Sequence, residues 1–324
     1  MKHFQTFLFL LLLLPSKLPA IQLEDRIPKS VWQTGISLKI IPSYSRAFNG
    51  YGKEAPLQNL LLWDSGWYGV VNGELKREVK QLEIKLAYGL TEDWVVKVMI
   101  PLLQKIQTSS LEYDSGTVEQ QKIISNIASE ELNGLGDISI QFGKDLSYST
   151  TFHNIGGFTS RVPTGNKGIR RGIHSNSIGE GHGSLGLFLH ITWYPLVHGL
   201  RNSFRIEGKN ELITERENLK GEKVYYSAGH IAEIFYSWSI ERQNIFAGSE
   251  MHYFQQSESK LPTGKSNNSF LKKINFEFGY GNLSELEQKP LTYPWQVRLG
   301  YSKPFAGQNA PLVDSWELSS KFLF

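Results

Sequence analysis

The chain contains no cysteine. That excludes a disulfide scaffold, a lipid anchor on an N-terminal cysteine and any thiolate metal site. Beyond residue 20 no apolar run approaches the ~18 residues that a membrane helix needs, so a helical membrane bundle is excluded too. Net charge is also nearly absent: 34 Lys and Arg against 31 Asp and Glu leave +3 over 324 residues, too little for a nucleic-acid surface. No low-complexity linker or break in composition divides the chain, which reads as one domain after its leader.

The leader is the first positive signal. Met1-Lys2-His3 is a short basic start, Phe4 to Leu14 is apolar, and Pro15 to Ala20 is a break ending on a small residue. This predicts a secretory signal peptide over 1–20, cut after Ala20 although Leu18 at the −3 position is large. Residues 21–324 are then the mature domain, and 21–30 are too few to form a plug.

The other end carries the strongest pattern. In Trp316-Glu317-Leu318-Ser319-Ser320-Lys321-Phe322-Leu323-Phe324, Trp316, Leu318, Phe322 and Phe324 share one face of a strand and Glu317, Ser319 and Lys321 the other. Termini are usually polar and loose. A strand that closes a membrane barrel must instead present apolar side chains to lipid. The expected partners are therefore outer-membrane lipids and the barrel-assembly machinery, which would engage the strand ending at Phe324. The expected location is the outer membrane of a Gram-negative-type bacterium.

Period-2 alternation recurs from residue 31 onward. It predicts an all-β fold, a transmembrane antiparallel β-barrel of about twelve strands: 31–42, 77–89, 94–103, 136–144, 149–162, 183–195, 201–213, 222–238, 242–254, 270–281, 293–303 and 314–324. Segments 149–162 and 222–238 alternate poorly. Connections at 90–93, 145–148, 196–200 and 239–241 are short; those at 43–76, 104–135, 163–182 and 255–269 are long. Tight periplasmic turns, longer outer loops and an even strand number with both ends inside follow. The exceptions are a long inner connection at 282–292 and a short outer one at 214–221. A β-sandwich would have no reason to sort loops this way. Tyr88 and Trp94, Trp193 and Tyr194, and Trp238 flank short turns, where interfacial aromatics belong.

The faces opposite the apolar ones are predicted to line the lumen: Lys39, Glu83, Lys85, Lys97, Asp137, Gln141, Arg205, Glu207, Lys209, Lys273, Glu277, Arg298, Glu317 and Lys321. Glu211 joins them. Signs are nearly balanced, so weak ion selectivity is expected.

Two glycine-rich patterns raise a resemblance. Gly134-Leu135-Gly136-Asp137 opens a strand after a long loop, and Val162-Pro163-Thr164-Gly165 closes another ahead of Gly179-Glu180-Gly181-His182-Gly183. With Tyr88-Gly89-Leu90-Thr91-Glu92-Asp93-Trp94 at the first tight turn, this order resembles the phenol-degradation meta-pathway outer-membrane protein family, best over 80–220. The resemblance implies an outer-membrane channel passing small hydrophobic or aromatic compounds. Its motifs are turn and strand grammar and carry over no binding or catalytic residue.

Two other readings stand beside the channel. Gly172-Ile173-His174-Ser175-Asn176-Ser177 resembles the HxSNG-like segment of outer-membrane phospholipases, one residue short and with Ser177 in place of Gly. His174 and Ser175 would point to opposite faces of a strand, so a lipase or esterase site needs a bend there. Loops 43–76 and 104–135 could instead serve adhesion or a structural role, and Asp64 to Gly69 could fold inward as a constriction. His182, His190 and Glu180 match no metal-ligand spacing; neither metal nor cofactor is expected.

Overall fold

Alternation becomes a closed ring in the computed structural model. It describes residues 32–41, 49–51, 57–59, 70–91, 93–113, 117–119, 121–122, 125, 129–148, 152–165, 182–194, 200–217, 223–226, 229–242, 244–258, 260–261, 264–265, 268–282, 295–308, 310–311 and 314–323, with the backbone alone up to 77. The proposed leader 1–20, the terminal Phe324, the His174-Ser175 segment and Asp64 to Gly69 lie outside these residues.

The barrel strands are β1 (Trp32–Ile41), β2 (Val70–Gly89), β3 (Trp94–Tyr113), β4 (Ile138–Tyr148), β5 (Phe152–Val162) and β6 (Ser184–Trp193). They continue with β7 (Leu200–Glu211), β8 (His230–Arg242), β9 (Ile245–Gln256), β10 (Ser269–Gly281), β11 (Trp295–Gln308) and β12 (Ser315–Leu323). All neighbours pair antiparallel, and β12 returns to β1 over eight residue pairs, Gln33 with Leu323 to Ile40 with Trp316. The β2–β3 pairing completes the circle, so each strand has a partner on both edges. That is what hydrocarbon demands, since an unpaired N–H or C=O there costs several kcal/mol.

Apolar positions face out. Leu187 is 69% exposed, Phe278 61% and Leu318 48%, while their sequence neighbours on the strands turn inward. Aromatic rings pair across strands at the short-turn end, Trp193 with Tyr236 (6.2 Å between centroids) and Tyr280 with Trp295 (6.0 Å). Tyr301 and Trp316 pair at 4.7 Å nearer the long-loop end.

Three expected boundaries are corrected. The strand expected at 222–238 starts at His230 and runs to Arg242, while 223–226 pairs with 214–217 in a separate outer hairpin. Its turn moves from 239–241 to lie between Arg242 and Ile245, where Asn244 carries φ 68°, a left-handed value that Asn tolerates. The outer connection at this point, between Glu211 and His230, is thus long, which removes one of the two exceptions to the loop-length pattern; the inner connection between Gly281 and Trp295 remains the other. β2 and β3 are also longer than expected, 20 residues each against 77–89 and 94–103, and they carry the sheet well past the other strands.

The third correction explains the two glycine motifs. A strand at 130–135 pairs with the outer half of β3, from Leu102 with Leu135 to Gln107 with Glu130, whereas β4 pairs with its inner half, Trp94 to Met99. The hand-over falls at Pro101. Lacking an N–H, it contributes only its carbonyl, which accepts a hydrogen bond from Gly136 N–H at 2.7 Å. Thr164 then donates to the Gly136 carbonyl (2.8 Å) and accepts from Ile138 N–H (3.0 Å). Asp137, expected on the lumen face, is drawn out of the ladder and accepts from Gly165 N–H at 2.9 Å. The two motifs are one seam.

On β5, Gly157 faces Gly143 at a close strand approach, and a Cβ there would overlap the Phe142 carbonyl oxygen. Gly208 has open space around the same position. Gly157→Ala is expected to cost about 1–3 kcal/mol through overpacking and to lower the fraction of heat-modifiable, refolded barrel on gels. Gly208→Ala should refold like the parent; equal yields from both variants would contradict the close approach.

Candidate functional site

Strand parity delivers a polar inner wall because the outer parity is consumed by lipid-facing residues. Within the ring lies a cavity of about 520 Å³ bordered by β3 to β11. Lys97, Gln141, Arg205, Glu207, Lys209, Glu277 and Arg298, all expected on the lumen face, border it. Glu83 and Lys85 share the inward face of β2 and pair with each other at 2.9 Å, away from this cavity. Lys273, Glu317 and Lys321 occupy inward register positions on β10 and β12 but do not border it. The side chain of Lys39 lies outside the described residues; its backbone pairs with Glu317 and Gln81.

The densest charge cluster sits on β7 and β8. Glu207 and Glu233 are direct cross-strand partners, a juxtaposition that repels. Lys209 resolves it, with its Nζ 2.9 Å from Glu207 and 3.4 Å from Glu233. Arg205 adds a second cation to Glu207, whose side chain is only 3% exposed. His252 stands 3.8 Å from Glu233 and stacks flat on Phe235, centroids 4.0 Å apart. At the outer rim Glu211 lies between Arg161 and His182, the latter at 2.8 Å. Leu212 N–H meanwhile donates to the Gly183 carbonyl, tying the histidine-glycine motif to the end of β7. Above the barrel, Glu131 on the outer strand accepts hydrogen bonds from Gln104 and Asn133, which hold its carboxyl below the usual carboxylate range.

Apolar groups also enter the lumen, against simple alternation. The Cβ position of Gly143 lies 3.0 Å from Ile155 and 3.3 Å from Val95, with Phe188 at 3.6 Å. The Arg205 guanidinium lies 4.8 Å from the Phe188 ring, and that of Arg298 lies 3.8 Å from the ring of Phe246. Arginine stacks this way because its planar cation meets the negative ring face.

Sequence reasoning missed Arg161, His190, Arg201, Glu233, Phe235, Phe246 and Glu250 on the cavity wall. Ile234, Tyr236, Trp238 and Ile240 do alternate against Glu233, Phe235, Ser237 and Ser239 once β8 is read from 230 rather than 222. For Phe235 and Phe246 no local signal existed. Among the described residues no His, Asp and Glu cluster suits a metal ion.

No family model and no curated protein matches the chain. Solved structures do. The COG4313 outer membrane channel from Pseudomonas putida F1 aligns with a TM-score of 0.65 over 96% of this chain and all of that one, at 11% identity. This likeness establishes the fold, that of an outer-membrane β-barrel. The CymD monoaromatic hydrocarbon channel (TM-score 0.41, 9% identity, 95% of this chain and 94% of that one) and the NanC porin (0.40, 8%, 90% and 98%) are more distant and carry no weight here.

Removing the shared cation should expose the cost of the carboxylate pair. Lys209→Met is expected to lower barrel stability by about 1–3 kcal/mol, less than a fully unpaired buried charge because Arg205 stays. Urea unfolding in detergent measures this, and adding Glu233→Gln should recover part of the loss. An unchanged midpoint would show that the cluster is too well solvated to matter.

Proposed function

We propose that the protein is an outer-membrane channel for passive diffusion of small organic molecules. The observation that carries this reading is a lumen cavity of about 520 Å³ lined by charged and hydroxyl side chains inside an outer-membrane barrel fold. A wall of paired charges suits a water-filled path, because each ion keeps a partner while one side stays hydrated. The glycine motifs that resemble the phenol-degradation meta-pathway family, and the aromatic rings entering the lumen, favour solutes with an aromatic or apolar part.

A catalytic role has no comparable support: Thr192 Oγ1 lies 3.5 Å from His190 Nε2, but Thr192 is buried, with 1% of its surface exposed, out of a substrate's reach. Planar-bilayer recording of the refolded protein tests the proposal. Discrete, reproducible conductance steps are expected, with modest ion preference. A correctly folded barrel that stays silent would overturn it.

A further inference from the structure

The charged side chains around the lumen cavity are sorted by position on the ring. From β3 to β7 they are Lys97, Arg161, Arg201, Arg205 and Lys209, with one carboxylate, Glu207. From β8 to β11 they are Glu233, Glu250 and Glu277, with one cation, Arg298. Both exceptions are paired where they stand, and so are two members of the basic arc, Arg161 with Glu211 and Lys209 with Glu233 as well as Glu207. Glu207 is held between Arg205 and Lys209, and Arg298 lies over Phe246 with Glu277 at 3.4 Å.

The cavity therefore has a basic arc and an acidic arc. In a ring of twelve, β3 and β9 lie six strands apart on opposite sides, so Lys97 and Glu250 border one cavity from opposite walls. Charges of opposite sign on facing low-dielectric walls set up a field across the path, not along it. A lone anion or cation gains at one wall and is repelled at the other. A neutral solute gains at neither. A solute carrying both charges gains at both by turning its carboxylate toward β3 to β7 and its ammonium toward β8 to β10. Apolar surface also borders the cavity beside these charges, from Phe235 on β8 and Phe246 on β9.

From this arrangement we infer that the lumen is a binding site for small zwitterions with an aromatic or apolar side group, molecules of amino-acid type. The inference rests on the channel reading above and names its solute class.

The test is single-channel recording of the refolded full-length protein with phenylalanine and its same-skeleton anion, cation and neutral relatives, hydrocinnamate, phenethylamine and phenethyl alcohol. Phenylalanine is expected to interrupt the current with dwell times several-fold longer than any of the others. Lys97→Gln and Glu250→Gln, on opposite walls, should each shorten that dwell several-fold while leaving the phenethyl alcohol response unchanged. Heat-modifiable migration verifies that each variant is folded, and either one alone suffices. Equal dwell times for all the probes, or a preference for the anion or the cation alone, would overturn the inference and leave the channel standing. A folded barrel without current overturns the channel reading and this inference with it.

Discussion

The backbone ladder running unbroken around the ring is the constraint on which everything else depends. On its outer side there is only hydrocarbon, so every strand edge must be met by another strand. The β12–β1 and β2–β3 pairings meet that requirement and leave no edge within the barrel wall. Closure also fixes parity around the whole circumference, because a slip of one residue anywhere would turn a lipid face into a lumen face. Lumen composition is thus a consequence of hydrogen bonding at the wall.

Within that wall the protein tolerates an arrangement that open sheets avoid. Glu207 and Glu233 stand directly opposite each other, and the repulsion is contained by Lys209 with help from Arg205. Keeping these carboxylates gives the lumen fixed charges that neighbouring cations hold in place. The arginines over Phe188 and Phe246 do the same for the basic side, since a guanidinium resting on a ring loses rotational freedom. A rigid charged wall can act on passing solutes; a floppy one would average its field away.

At the outer rim, the glycine motifs turn out to be joinery. Pro101 cannot donate, so β3 changes partners there, and Gly136, Asp137, Thr164 and Gly165 knit the change-over together. Arg161, His182 and Glu211 tie the neighbouring strands in the same zone. Small and hydroxyl residues suit this junction because they complete the ladder's hydrogen bonds in the least space.

Much of the fold was legible in the sequence because parity is a local property. Leu185 to Trp193, or Ile274 to Tyr280, reveal their outward faces without reference to any other strand. Boundaries failed where another element borrowed the same pattern, as Val224 to Tyr226 did by forming an outer hairpin instead of the start of β8. On the cavity wall, Lys97, Arg205 and Arg298 could be assigned from alternation alone, whereas Phe235 and Phe246 could not, since an apolar residue inside a polar lumen breaks the rule used to find it. The sequence by itself determined that the strands have two faces and, where alternation is clean, which side chains occupy each. Only the tertiary structure decided which strands face each other, because that depends on how twelve ladders close, and it is this closure that sets Lys97 across the cavity from Glu250.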